Sequence, residues 1–249
     1  MIKVLVCGAC GHMGKNVAEL LNGDNQAALL CGVDPFGESN DIKVFKSYKD
    51  LTEKPDVIID FSSPAALKEE LEYCVENKVP AVIGSTGFTA AQLEEIEIAS
   101  RKVALFRTAN FSLGVNLLCK LVNEAATILG ENFDVEIIEK HHNKKKDAPS
   151  GTALMLADSA NAAFDNKKPY LNGREGICGQ RGNEIGMHAV RGGTIVGEHD
   201  VLFCGEDEII TLSHSARSKK VFAAGAIKAA KWLADKPAGL YSMKDIFEF

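Results

Sequence analysis

The chain has 249 residues, 46% of them hydrophobic and 25% charged, with a formal net charge of -6. That length supports one large domain or two small ones around a substantial core, and the acidic balance gives no global reason to expect nucleic-acid binding. No run of 18 apolar residues marks a membrane span, and the start MIKVLVCG lacks the layout of a signal peptide, so the expectation is a cytoplasmic protein without membrane attachment.

Ile2 to Cys7 is nearly all apolar and β-branched, as suits a buried parallel strand. A glycine loop follows from Gly8 to Gly14, then helical periodicity through Met13, Val17, Leu20 and Leu21, then a second strand from Ala27 to Val33. The alternation continues with strands over 56–61, 80–83 and 103–106. Ser63 and Pro64 open a helix running to Glu76, and Thr89 with Gln92 forms a capping-box pattern before a helix ending near Ser100. Strands alternating with helices predict a Rossmann-type, doubly wound parallel sheet.

After residue 112 the pattern changes. A long helix is predicted over 113–129, a strand over 133–139, and a helix from Gly151 to Phe164. A polar, Gly-rich segment covers 167–183, and three strands follow over 184–190, 194–203 and 208–214. This reads as an α+β domain with a mixed or antiparallel sheet. The amphipathic helix over 219–234 is expected to return to the first domain. The expected domains are therefore 1–112 with 220–249 for dinucleotide binding, and 113–219 for substrate binding and oligomerisation.

Gly8, Gly11 and Gly14 are spaced G-x-x-G-x-x-G between strand and helix, where glycine lets the backbone approach a pyrophosphate and the helix N-terminus offers free N–H groups. Gly8, Ala9, Cys10, Gly11, His12 and Met13 are the candidate cofactor contacts of this loop. Asp34 ends the second strand, about 20 residues on, where a carboxylate accepts from ribose hydroxyls. Pro35 follows it, so no phosphate clamp stands beside the acid, although His12, Lys15, Lys43 or Lys46 could reach in from elsewhere. Two more loops follow predicted strands: Gly84, Ser85 and Thr86, then Thr108, Ala109, Asn110 and Phe111. Each alone reads as a loop; three on one sheet edge read as a cofactor crevice.

The stretch EIIEKHHNKKKDAPSGTALMLAD, Glu136 to Asp158, sets three readings against one another. A metal site needs three or four converging ligands, but His141 and His142 are adjacent and point to opposite faces of an extended segment. A solvated basic loop accounts for Lys144 to Lys146. The third reading is chemical: Ser150, Gly151 and Thr152 open a helix suited to a carboxylate, beside imidazoles and ammonium groups that can handle a proton. On that reading a lysine among other cations is a better proton donor. The seven cysteines are odd in number and scattered, and the C-x-x-C of Cys7 and Cys10 lacks the second half of a zinc set, so no metal and no disulfide framework is expected.

G-x-x-G-x-M-G, GSTGF, ANFSLGVN, EIIEKHHNKKKDAPSGTAL, AVRGGTIVGEH and GLYSMKDIF occur in that order along nearly the whole chain. The set resembles the 4-hydroxy-tetrahydrodipicolinate reductase (dihydrodipicolinate reductase) family of lysine and diaminopimelate synthesis. The resemblance implies an oxidoreductase that passes hydride from NADH or NADPH to a small dicarboxylate, with no metal, as a homotetramer built through the second domain's sheet. It makes His141 the catalytic histidine and Lys145 the proton donor, with His142, Lys145, Ser150, Gly151 and Thr152 as substrate contacts. Where some relatives carry basic residues, this chain has His12 and Pro35, which with Asp34 favours NADH, and Ser63, where the resemblance implies a lost cofactor contact. A dinucleotide-sensing protein without catalysis, a reductase of another anionic substrate, and a nucleic-acid binder using the lysine run are the competing readings.

Overall fold

Ile2–Cys7 forms β1 and His12–Leu21 forms α1, joined by the glycine loop. There follow β2 (Ala27–Val33), β3 (Val44–Phe45), β4 (Val57–Asp60), α2 (Leu67–Asn77), β5 (Ala81–Ile83), α3 (Ala90–Ser100) and β6 (Ala104–Arg107). The chain continues through α4 (Leu113–Leu129), β7 (Asp134–His141), α5 (Gly151–Asn161), β8 (Tyr170–Asn172), β9 (Ile185–Arg191), β10 (Gly197–Cys204) and β11 (Ile209–Ala216). It closes with α6 (Lys220–Leu233), β12 (Gly239–Tyr241) and α7 (Met243–Phe247). The computed structural model describes residues 1–247 and falls into two units, Met1–Ser112 with the segment from Lys219 onward, and Leu113–Ser218.

The first unit is a seven-stranded sheet ordered β12-β6-β5-β4-β1-β2-β3, with every pair parallel. This is the Rossmann order 3-2-1-4-5-6 with one strand added, and the order reverses between β1 and β4. The apolar runs of its strands follow from burial on both faces. Leu5, Ile58, Ile83 and Leu105 pack with Leu67, Leu71 and Ile96 of α2 and α3, while α6 lies against β4, β5 and β6. Gly225 makes that second layer close, because a Cβ there would stand 1.8 Å from the Phe111 carbonyl oxygen. The predicted capping box of α3 is formed: Thr89 N donates to Gln92 Oε1 at 3.0 Å, and Gln92 N donates to Thr89 Oγ1 at 3.3 Å. Ser63 instead precedes a short 3-10 turn, Pro64–Ala66, that leads into α2. Strands β3 and β12 lie in segments where the sequence pattern predicts none. Both are short and recruited at the sheet's edges, β3 by β2 and β12 by β6.

The second unit is a five-stranded sheet ordered β11-β10-β7-β9-β8, antiparallel at β11–β10 and β10–β7 and parallel at β7–β9 and β9–β8. Val135 and Ile137 of β7, Ile185 and Met187 of β9, and Val201 and Phe203 of β10 point to one face. There they meet Leu118, Val122 and Ala126 of α4 and Leu156, Ala157 and Ala160 of α5. Strand β8 falls inside the segment read as a polar, Gly-rich connection; its three residues gain their place only by pairing with β9. Leu113–Asn132, α4 with the short turn that follows it, is long and apolar enough to cross a membrane. Its residues Val115, Leu118, Val122 and Ala126 are buried within the fold.

Candidate active site

The glycine loop lies at the carboxyl end of β1, beside the switch between β1 and β4. Gly8 takes φ +72°, and a Cβ on it would stand 2.7 Å from the Phe61 carbonyl oxygen; one on Gly14 would stand 2.2 Å from the Gly8 carbonyl oxygen. The loop is thus folded tightly onto itself and onto the end of β4. Gly11 is the N-cap of α1 and brings no side-chain cap, so the first-turn N–H groups of that helix are left for an external anion. Ala9 is buried, Cys10 and Met13 are half-buried, and Gly11 and His12 are exposed.

Asp34 organises the neighbouring turn. Its Oδ2 accepts from Cys10 N at 3.1 Å, and its Oδ1 accepts from Phe36 N at 3.1 Å and Gly37 N at 2.8 Å. Burial works to raise its pKa, but the backbone donors of Gly37, Cys10 and Phe36 outweigh it and hold the carboxyl below its ordinary range. The Cys10 thiol takes a fourth contact to this carboxylate, the bond a ribose hydroxyl would have to replace. Lys46 Nζ donates to Gly37 O at 2.9 Å, placing one of the four candidate cations on this same turn. Lys43 lies over the Phe45 ring. Phe36, two residues past the acid, is 96% exposed. Sequence reasoning passed over it, although an aromatic two residues past the acid expected to meet a ribose is a legible signal for base stacking.

The other two crevice loops follow β5 and β6. Gly84 is close-packed, since a Cβ there would meet the Phe61 ring at 2.5 Å; Ser85 is buried and Thr86 exposed. Thr108 Oγ1 donates to Asn110 O at 3.1 Å, and Asn110 Oδ1 accepts from Ser112 N at 2.8 Å. Ala109 is exposed, whereas the Phe111 ring is buried against Phe61 and Phe106. Phe111 therefore offers backbone to this edge and side chain to the core.

In the second unit the histidine-lysine stretch runs from the end of β7 to the start of α5. His141 closes the strand and lies on the covered face with Glu139; His142 follows outside it. Glu139 Oε2 accepts from His141 Nδ1 at 2.6 Å and from Arg191 Nη1 at 2.7 Å. Its Oε1 accepts from Arg191 Nη2 at 2.7 Å and from Ser150 N at 3.0 Å. Burial acts to raise this carboxyl, yet the bonds from Arg191 and His141 hold it below its ordinary range. Burial pushes the His141 pKa down; Glu139 opposes that and only partly offsets it. His199, on β10, stacks edge-on to His141 at 5.2 Å and is driven down to about 4, chiefly by burial.

Ser150 is the N-cap of α5: its Oγ accepts from Ala153 N at 3.1 Å and contacts His199 Nε2 at 3.1 Å. The hydroxyl is thus engaged inside the fold, and the exposed first residue of the helix is Gly151, with Thr152 half-buried next to it. The Ala148–Pro149 peptide is cis. His142 Nδ1 is buried without a hydrogen-bond partner. Lys145 does not stand among cations only: its Nζ pairs with Asp147 Oδ2 at 2.9 Å. Lys144 and Lys146 are exposed. Glu139, Arg191 and His199, which tie the site together, were not singled out from sequence. All three lie in quoted motifs, Glu139 in EIIEKHHNKKKDAPSGTAL and Arg191 and His199 in AVRGGTIVGEH, but those two motifs are on separate strands, and only sheet pairing brings the second to β7.

Among the described residues, one group has ligand atoms close enough to hold a metal: Cys7, Asp60 and Glu70, buried in the first unit and within 4.8 Å of one another. It contains none of the histidines. Burial pushes both the Cys7 thiol and the Glu70 carboxyl up, the opposite of ligands poised to lose protons.

A Rossmann sheet with a glycine loop and an acid at the end of its second strand, followed by a mixed-sheet unit carrying a histidine bonded to a buried acid, defines a nicotinamide-dependent reductase or dehydrogenase class. Residues 2–111 match the family model for the N-terminus of dihydrodipicolinate reductase, and residues 114–247 match the model for its C-terminus. The chain belongs to the dihydrodipicolinate reductase family. It is 49% identical to a 4-hydroxy-tetrahydrodipicolinate reductase of Caldanaerobacter subterraneus over 99% of this chain and 98% of the relative. It is 43% identical to the one from Clostridium novyi over 100% and 99%. Among solved structures it resembles a dipicolinate-bound dihydrodipicolinate reductase from a Paenisporosarcina species, with a TM-score of 0.81, 30% identity and 99% coverage of both chains. A probable dehydrogenase from Thermotoga maritima shares the fold at a TM-score of 0.64 and 14% identity, over 96% and 91% of the two chains.

Proposed function

We propose that this protein is an oxidoreductase that reduces 4-hydroxy-tetrahydrodipicolinate, or its dehydrated dihydrodipicolinate form, to tetrahydrodipicolinate in lysine and diaminopimelate synthesis. The carrying observation is that one continuous stretch, 139–152, brings an imidazole, an ammonium and a helix start into one hydrogen-bonded cluster. Relatives named for this reaction, and one holding dipicolinate, support the substrate class.

The reduced nicotinamide supplies hydride for C4 of the ring when bound. The protein's residues position the acceptor and handle charge and the proton. Gly151 and Thr152 at the α5 start, with His142, hold carboxylate oxygens by N–H groups and a positive dipole end. Lys145 delivers the proton that neutralises the charge left by hydride addition, exchanging Asp147 for the substrate as it does so. His141 is its acid-base partner. The first unit binds the dinucleotide through Gly8 to Met13, Asp34, Gly84 to Thr86 and Thr108 to Phe111. Asp34 and Pro35 favour NADH, while Lys46 on the same turn leaves a cation for the 2′-phosphate of NADPH. The second unit's sheet serves as the assembly surface of a homotetramer, and the protein works in the cytoplasm.

The test is oxidation of NADH and of NADPH, followed by absorbance while an upstream synthase supplies the acceptor. Turnover with both, faster with NADH, is expected. No absorbance change with either nucleotide overturns the reading. Lys145→Ala and His141→Ala should each depress kcat by about 100-fold or more while leaving NADH affinity unchanged.

A further inference from the structure

We infer that Glu139 and Arg191 are positioning residues that lock His141 as the Nδ1–H tautomer, making Nε2 the atom that takes up and returns the proton. The inference rests on the reading above that His141 shares the proton work, and it adds which nitrogen acts and what holds it.

Glu139 and His141 are two residues apart on β7, so both side chains leave the strand on the same face. Arg191 lies opposite His141 in the parallel β7–β9 register and so reaches that face as well. A carboxylate only 1% exposed is costly unless it is paired and fully hydrogen-bonded. Here it accepts four bonds, two from the Arg191 fork, one from His141 Nδ1 and one from Ser150 N. An ionised carboxylate only accepts, so the nitrogen 2.6 Å from it must carry the hydrogen. In the neutral ring that leaves the Nε2 lone pair outward. Nε2 has no hydrogen-bond partner among the described residues, and it faces Gly197, where an added Cβ would stand 3.1 Å away.

The charged and titratable groups around this ring are Glu139 on β7, Arg191 on β9, His199 on β10, with His214 of β11 beyond it, and Lys145 in the following loop. Only Glu139 is anionic among them, and it is in direct contact. A proton arriving on Nε2 is therefore stabilised across the ring by Glu139, in the manner of an acid that orients a catalytic histidine. Arg191 keeps that acid ionised and aimed. It also donates to Asp147 O at 2.6 Å, tying the loop that carries Lys145 to the same fork.

The experiment pairs Glu139→Gln and Arg191→Lys with the wild type. Nitrogen-15 NMR of His141 reads the tautomer, and kcat and KM are measured across pH. Expected are an Nδ1–H ring in the wild type and, in Glu139→Gln, a kcat loss of about 10–100-fold with KM changed less than about 3-fold. The limb of the pH profile assigned to His141 should move to lower pH in that variant, because the ring loses its anion. Arg191→Lys, which keeps the charge but loses the fork, should fall between. An Nε2–H ring in the wild type overturns the inference, and so does a Glu139→Gln defect confined to KM with an unmoved pH profile. Unchanged NADH binding and circular dichroism confirm folded variants. If the wild type reduces no such acceptor, the functional reading fails, and the NMR measurement still decides the tautomer.

Discussion

Phe36 leaves a whole aromatic face in water, while its own N–H is held by Asp34. The ring stands two residues past the acid that the ribose would meet, where an adenine can stack on it. Phe36→Ala should weaken NADH and NADPH alike by about 5-fold to 160-fold, at about 1–3 kcal/mol for one base–aromatic stack, with kcat at saturation unchanged. Fluorescence titration of both nucleotides checks this, and equal affinities of variant and wild type would remove the ring from the cofactor site. Glu70 raises a different issue. Both its carboxylate oxygens are buried without a hydrogen-bond partner, and burial first, then the nearby Asp60, pushes its pKa well up. The folded state thus keeps a proton that the unfolded chain has lost. With more protons bound when folded, stability falls as pH rises above the ordinary carboxylate range, by up to about 1.4 kcal/mol per pH unit. Urea titrations at pH 5 and pH 8 should show that loss in the wild type and much less of it in Glu70→Gln. Parallel pH dependence in the two proteins would mean that Glu70 titrates normally.

At the scale of elements, the junction of β7 and α5 concentrates the chemistry. Ser150 caps α5, contacts His199 and donates its N–H to Glu139, so helix start, strand end and histidine ring are one assembly. His199 is buried and driven down to about 4, so it stays neutral when folded. Its contribution to stability is complete above about 6.5 and is lost as pH falls toward about 4, because only the unfolded state takes the proton in that window. Thermal unfolding followed from pH 7 to 4 should show this loss, on the order of 1–3 kcal/mol, and His199→Gln should flatten it; an equally steep acid limb in the variant would assign the loss elsewhere. Elements also mark the limit of what local pattern conveys. Ile2–Cys7, Ala27–Val33 and Leu113–Leu129 match their predicted spans because each buries enough apolar surface to announce itself. Val44–Phe45, Tyr170–Asn172 and Gly239–Tyr241 are too short for any periodicity and become strands only beside a partner.

For the whole molecule, the second unit's sheet poses the question of assembly. Burial alternates along β7 and β10, with α4 and α5 on one face. The other face carries Ile138, Lys140, Asp200 and Leu202, with Thr211 on β11 beside Leu202. If that face joins copies of the chain, light scattering should return about four times 26.8 kDa. Leu202→Glu would place a charge on that face and should shift the mass downward while NADH binding persists. An unchanged mass in the variant would move the assembly surface elsewhere, and a monomeric wild type would remove the tetramer.

Much of this protein is determined by its sequence alone. Alternating apolar runs and helices dictate a doubly wound sheet, and glycines spaced around a strand end with an acid beyond dictate a dinucleotide crevice. The stretch 139–152 names its own imidazole, ammonium and helix start, because groups that act together there are also neighbours along the chain. Only the tertiary structure decided what controls them. Arg191 comes from β9 and His199 from β10, some 50 residues from the histidine they flank, and the β7–β9 and β7–β10 pairings alone put them there. The same holds for Phe111, whose ring the first unit's core claims, whereas Asp147, the partner of Lys145, stands two residues along the same stretch. Protonation state and orientation are set by burial and by contacts from distant strands, and neither is encoded in the spacing of residues along one segment.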